Sequence, residues 1–157
     1  MSNNNKITVT VDPLESPEIQ SFIADHLAGM HANSPPEQVY ALGIHRLKAP
    51  EITFWSAKVA GQLCGCGALK ALGDGRGEIK SMRTATAFLR RGVAQAVLDE
   101  ITNAGRQRGY SALLLETGTG AAFDAAHAFY QRNGFAPCEP FGDYQSTEFN
   151  RFLCKVL

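Results

Sequence analysis

The chain has 157 residues, fifteen Lys or Arg against fifteen Asp or Glu, and 45% hydrophobic residues. That is the size of one ordinary domain, and the balanced charge excludes a chain-wide basic field for nucleic acid or a membrane surface, so any anion site must be local. No apolar run nears the roughly 20 residues that span a bilayer, and "MSNNNK" has no apolar stretch of a secretory signal. A cytoplasmic protein is expected, one domain over residues 1–157 with a disordered tail over 1–5.

"KITVTV" alternates and is β-branched, which predicts a strand over 6–11. Ser16 is a good N-cap and Pro17 suits the first helical position. Ile19, Phe22, Ile23, His26, Leu27 and Met30 then recur at helical spacing, giving one buried face. Ser34 and Glu37 have capping-box spacing, so a short helix over about 35–42 is expected. "EITFWSAKV" and "QLCGCGALKAL" read as strands over 51–59 and 62–72, joined by a tight turn at Ala60-Gly61. After the turn "LGDGRG", "EIKSMRTA" predicts a strand over about 77–84. A helix over about 91–108 follows, with Val93, Ala94, Val97, Leu98, Ile101 and Ala104 as its apolar stripe and Gly109 as its stop.

"SALLLET" is a continuous apolar run, as for a strand buried on both faces. "AAFDAAHAFYQRN" predicts a helix with Ala122, Ala125, Ala126, Phe129 and Tyr130 on one side, ended by Gly134. "FAPC" and "STEFNRFLCKVL" supply the last strands, with much of Phe149, Phe152, Leu153, Val156 and Leu157 in the core. The order β-α-α-β-β-β-α-β-α-β-β implies an α/β chain with a mixed sheet and helices on both faces. A homodimer through an edge strand is one expectation for the C-terminal segment.

Cys64 and Cys66 are spaced C-x-C, which on a strand turns both to one face. Reduced thiols acting as small apolar side chains are expected there. The four histidines form no ligand pair, and no metal is expected. Trp55 reads as a core residue.

The helix start near Arg91 offers free N–H groups and the positive end of the helix dipole to an anion. Gly92 permits close approach of a ligand to the backbone, and Arg90 and Arg91 can add charge-assisted hydrogen bonds. Neither a G-x-x-x-x-G-K-[ST] nor a G-x-G-x-x-G pattern is present, which disfavours a nucleoside triphosphatase or a dehydrogenase.

"GEIKSMRTATAFLRRGVAQAVLDEI", "ALLLET" and "AHAFYQRNGF" resemble, in order and spacing, the GCN5-related N-acetyltransferase (GNAT) superfamily from about residue 52 to the end. The resemblance implies that fold, a mostly antiparallel sheet, and acetyl-CoA as cosubstrate. It implies that Met82, Arg83 and Thr84 offer backbone groups to the pantetheine arm. The loop Leu89, Arg90, Arg91, Gly92, Val93 and Ala94, with Gln95 next to it, would cradle the pyrophosphate. Leu89 stands where the family has Gln or Arg, and Phe123 where it often has Asn. Tyr130, in "FYQRNGF", is implied as the general acid that protonates the leaving thiolate.

An amine acceptor must lose a proton, through a general base or a water chain leading to one. Glu78 is the first candidate, since similar "GEIK" strands in the superfamily often carry a carboxylate there, and Glu116 is the second. Strand parity would put Glu78, Lys80, Met82 and Thr84 on one face. The resemblance also places "MHANSPPE", with His31 and Ser34, near the acceptor. The expected activity is acetyl transfer to a primary amine of a small molecule or peptide by direct attack in a ternary complex. A non-catalytic acyl-CoA-binding module and a transferase for another acyl group are the alternatives.

Overall fold

The computed structural model describes residues 6–31 and 43–157, with only the backbone described over 26–31. The tail over 1–5, the helix expected over 35–42, and Ser34 lie outside them. Among the described residues, seven strands form one mixed, mostly antiparallel sheet in the order β1-β2-β3-β4-β5-β7-β6. In chain order they are β1 (Ile7–Val11), β2 (Ile52–Val59), β3 (Gln62–Ala71), β4 (Arg76–Thr84), β5 (Ala112–Gly118), β6 (Ala136–Pro137) and β7 (Asn150–Val156). The described helices are α1 (Pro17–His31), α2 (Gly43–Leu47), α3 (Val93–Gln107) and α4 (Asp124–Arg132). The chain divides into two compact units, residues 1–70 with 80–101, and residues 71–79 with 102–157.

In the first unit, Ser16 caps α1, its Oγ accepting from the Ile19 N–H at 3.2 Å. Ile19 and Ile23 bury against Leu14, Leu47, Phe54, Leu63, Cys66 and Ala68. The β2–β3 turn has positive φ at both Ala60 (51°) and Gly61 (78°), as a two-residue hairpin with right-handed strand twist requires. Ala57 pairs with Gly65 but Lys58 pairs with Leu63, which leaves Cys64 as the extra residue of a bulge. Parity therefore does not carry across Cys64. Its thiol donates to the Ala57 carbonyl at 3.3 Å, whereas Cys66 joins the cluster under α1. All four cysteines are free thiols, with Cys64 and Cys66 buried. Trp55 is a core residue, 4% exposed.

Gly65 and Gly67 seat the start of α3. A Cβ on Gly65 would lie 2.5 Å from Val93 Cγ1 and 3.0 Å from the Arg83 carbonyl oxygen. On Gly67 it would lie 2.6 Å from Met82 Sδ and 2.7 Å from Val97 Cγ1. Val93, Val97, Leu98 and Ile101 of α3 are buried, as the spacing predicted, and Gly109 follows the helix with φ 74°. The helix starts two residues later than expected. A 3₁₀ turn (Thr86–Phe88) and left-handed residues at Arg90 and Gly92 fill the approach, so Arg90 and Arg91 lie in the turn before the helix.

In the second unit, Leu113, Leu114 and Leu115 of β5 are buried in succession, as in a strand covered on both faces. β5 runs parallel to β4, with Glu78 opposite Leu114, and antiparallel to β7. β7 is flanked by β5 and β6, so β1 and β6, and not the C-terminal strand, form the sheet edges. Phe152 is 5% exposed, but Phe149 and Val156 are 77% and 79% exposed, outside the core expected for them. In α4, Ala122 and Ala125 do not share the buried side: Ala122 falls in the preceding 3₁₀ turn and both are exposed. Ala126, Phe129 and Tyr130 are half-buried or buried as expected, and Phe123 and His127 join them.

Candidate active site

The first unit carries the end of β4 and the turn into α3. The Ala85 N–H donates to the Cys64 carbonyl at 2.8 Å, which ties the end of the strand to the bulge of β3. Phe88, 8% exposed, anchors the 3₁₀ turn, and the Arg91 guanidinium lies over its ring at 5.3 Å. Arg90 has φ 63° and Gly92 φ 85°. The Gly92 carbonyl accepts the Ala96 N–H at 3.0 Å and so opens the helix. Helix geometry leaves the N–H groups of Val93 and Ala94 without an intrahelical acceptor.

Leu89, Arg90, Arg91 and Gly92 are all exposed, Leu89 by 55%. The Leu89 N–H turns back to the Thr86 carbonyl at 3.4 Å. Gln95 directs its side-chain amide to Asp99 Oδ1 at 2.9 Å, along the helix. The Arg83 guanidinium is stacked over Phe22 of α1 at 5.5 Å, and Met82 Sδ packs beside Gly67. Ser81 has φ 58°, outside the extended region, so the face shared by Glu78, Lys80, Met82 and Thr84 cannot be counted through it.

The second unit carries Glu78 and Tyr130. Glu78 is 3% exposed, and its Oε2 accepts from the Tyr144 hydroxyl at 2.6 Å. Tyr144 is held edge-on by Phe141, with ring centres 5.3 Å apart, and tilted against Phe152 at 5.8 Å. Reading the sequence missed Tyr144, because no local pattern ties a loop tyrosine to a strand 66 residues away. Glu116 is exposed and accepts from Asn150 Nδ2 at 3.3 Å.

Tyr130 stands in the last turn of α4, 7% exposed, between the edges of Phe129 (5.2 Å) and Phe135 (5.4 Å). Burial pushes its phenol pKa up, so the hydroxyl keeps its proton at neutral pH. Its carbonyl accepts the N–H groups of Asn133 and Phe135, each at 3.0 Å, while Gly134 turns the chain with φ 90°. Phe123 fills the space over Gly118, and His127 Nε2 meets the Gly118 carbonyl at 2.8 Å. Among the described residues, no three His, Cys, Asp or Glu side chains gather as a metal site would require, and no helix is long and apolar enough to cross a membrane.

The mixed, mostly antiparallel seven-stranded sheet with its helices matches the fold of solved GNAT acyl-CoA N-acyltransferases. The sequence profile of the acetyltransferase (GNAT) family matches residues 19–135, and the chain belongs to that family as an N-acetyltransferase. It is 47% identical over 150 residues to the uncharacterized N-acetyltransferase YedL of Escherichia coli (strain K12), a match covering 96% of this chain and 94% of that protein. It is 46% identical over 149 residues to the uncharacterized N-acetyltransferase YsnE of Bacillus subtilis (strain 168), covering 95% and 99%. Among solved structures, a Klebsiella pneumoniae protein assigned as an acyl-CoA N-acyltransferase superposes with a TM-score of 0.80 at 25% identity, over 98% of this chain and 99% of that one.

Proposed function

We propose that the chain, acting as a single catalytic domain over residues 1–157, transfers the acetyl group of acetyl-CoA to a primary amine of a small molecule or peptide. The observation that carries the reading is the turn into α3. Its left-handed residues Arg90 and Gly92 precede two N–H groups that have no acceptor within the helix. Left-handed residues in such a turn converge successive backbone N–H groups into an anion-binding concavity, and the helix dipole adds to it. That chemistry fits a pyrophosphate.

The backbone of Arg90, Arg91, Gly92, Val93, Ala94 and Gln95 would hold it, with Leu89 contributing position rather than a donor. Met82, Arg83 and Thr84 would meet the pantetheine arm through their main chain, since the side chains of Met82 and Arg83 are packed elsewhere. Acetyl-CoA, as cosubstrate, supplies an activated thioester.

Glu78 takes one proton from the acceptor ammonium, and the neutral amine attacks the thioester carbonyl within a ternary complex. The C–N bond forms, the C–S bond breaks, and Tyr130 gives its proton to the departing thiolate. The attacking nitrogen's second proton restores the phenol, and Glu78 returns its proton to solvent. Burial keeps Tyr130 protonated but also makes it a weaker acid, so the transfer requires the leaving thiolate to sit within hydrogen-bond reach of its hydroxyl.

Tyr130→Phe tests the assignment. Acetyl-CoA affinity, measured by calorimetry, should stay within about twofold, while release of free coenzyme A with a panel of primary amines should fall by roughly 10²-fold or more. Unchanged turnover removes Tyr130 as the acid.

A further inference from the structure

Glu78 is a buried carboxyl, 3% exposed and opposite Leu114 in the sheet, and its hydroxyl partner is a further residue of the machinery. The second unit gathers Leu114, Phe141 and Phe152 into a cluster, with Leu72, Cys138, Tyr144 and Cys154 packed against it. Tyr144 is half-buried, and its ring is fixed by Phe141 and Phe152, which are themselves edge-to-face at 5.7 Å. Two aromatic contacts on one ring leave its hydroxyl little freedom. That hydroxyl donates to Glu78 Oε2 at 2.6 Å, the short distance of a charge-assisted O–H···O⁻ bond.

Titratable groups packed in the cluster that holds Tyr144 include the thiols of Cys138 and Cys154, and Arg76 and Lys80 lie two residues to either side of Glu78 on β4. Arg76 is engaged with Asp74 at 2.7 Å. A hydrogen bond that is stronger to the ionised than to the protonated carboxyl favours the ionised form.

We infer that Tyr144 is a positioning residue for Glu78: its hydroxyl, locked between Phe141 and Phe152, holds the buried carboxylate in one orientation and in the ionised form needed to accept the acceptor's proton. This rests on the reading of Glu78 as the base. Tyr144 acts in this role through Glu78, as a hydrogen-bond donor. The role is built from three parts of the second unit: the start of β4, β7, and the loop between β6 and β7. That loop thereby influences a reaction it does not itself perform.

The test compares the parent protein with Tyr144→Phe and Glu78→Gln across pH 5 to 10, measuring coenzyme A release from acetyl-CoA with a panel of primary alkyl and aryl amines. Tyr144→Phe should lose at least tenfold in turnover at pH 6 and approach the parent at pH 9, because the acid limb of its profile moves to higher pH. The KM for acetyl-CoA should stay within twofold. A loss equal at every pH, or no loss, overturns the inference. Parental turnover in Glu78→Gln instead overturns the base reading beneath it.

A second measurement needs no acceptor. In protein labelled with carboxyl-¹³C glutamate, the Glu78 signal is the one missing in Glu78→Gln, and in Tyr144→Phe it should titrate at higher pH than in the parent. An unmoved titration overturns the inference. Should Tyr144→Phe not fold, site-specific replacement of Tyr144 by 3-fluorotyrosine keeps the shape and strengthens the donor. The same signal should then move to lower pH, and no movement counts against the inference.

Discussion

At the far end of β4 the chain enters a turn made of consecutive residues, Leu89 to Gly92, whose side chains are exposed and whose backbone N–H groups are the proposed pyrophosphate ligands. Near the start of the same strand, Glu78 is buried, and its hydroxyl partner comes from 66 residues further on. The first place is local and made of main chain. The second is non-local and made of side chains. Substitutions should therefore act in different ways at the two: through backbone conformation at the turn, and through packing and hydrogen bonding at Glu78.

The largest effect is expected at the Glu78 end. Phe152, 5% exposed, supports both Phe141 and Tyr144. Phe152→Ala should cost about 3–5 kcal/mol, as emptying a buried aromatic site usually does, read as a lowered urea midpoint. Activity should fall with it, because Tyr144 loses one of its two ring contacts. A stable variant with normal turnover would mean that the cluster does not hold Glu78.

Next is Gly92, with φ 85° and, beyond its two chain neighbours, no atom within 4 Å of the place a Cβ would take. A Cβ there meets no clash, so the penalty is conformational, and a β-branched residue in the left-handed region is strained by about 1–3 kcal/mol. Gly92→Val should weaken acetyl-CoA binding by roughly 10–100-fold, as that strain is relieved by reshaping the turn. Normal binding would remove the cradle reading.

Gly67 sharpens the same end from beneath. Its absent Cβ makes room for Met82 and Val97, so Gly67→Ala should cost about 1–3 kcal/mol by overpacking. The melting temperature should fall, and acetyl-CoA binding should weaken only as far as the start of α3 is displaced.

These two places also differ in how far they could be read from the sequence. The helix that carries the turn was legible because Val93, Val97, Leu98 and Ile101 repeat at 3.6-residue spacing, and Gly92 marked its mouth. The left-handed Arg90 was not legible, since nothing in "LRRG" distinguishes it from the first residue of a helix. Glu78 drew attention by its strand, but strand parity breaks at Ser81, where φ 58° interrupts the alternation. Tyr144 was invisible because its role depends on tertiary placement. In α4 the expected face holds at Ala126, Phe129 and Tyr130 and fails at Ala122, which falls in the 3₁₀ turn over Ala121–Phe123, and at Ala125, which is exposed.

Proton linkage separates the apolar cluster under α1 from the exposed turn. Burial, more than the countering charge of Arg83, pushes the Cys66 thiol from 9.0 up to about 12. The folded chain then keeps a proton that the unfolded chain releases, so stability is complete below pH 9 and falls from about pH 9 to 12. The slope is at most about 1.4 kcal/mol per pH unit for this one group. Burial of Tyr130 acts in the same direction. Urea unfolding at pH 8 and pH 10.5 should show the loss, and Cys66→Ala should make it shallower. An equal loss in that variant would assign the alkaline sensitivity elsewhere.

The smallest effect separates side chain from backbone at the turn itself. Arg90 is exposed and holds φ 63°, a conformation glycine adopts without strain. Arg90→Gly therefore removes the charge while relaxing the backbone, whereas Arg90→Ala removes the charge and keeps the strain. If the pyrophosphate is held by main-chain N–H groups, both variants should bind acetyl-CoA within about 1 kcal/mol of the parent, since an exposed charge contributes little. Arg90→Gly should also be at least as stable as Arg90→Ala. A loss of several kcal/mol shared by both would make the guanidinium, and not the backbone, the principal ligand, and the contrast between the two ends of β4 would narrow to one between exposed and buried side chains.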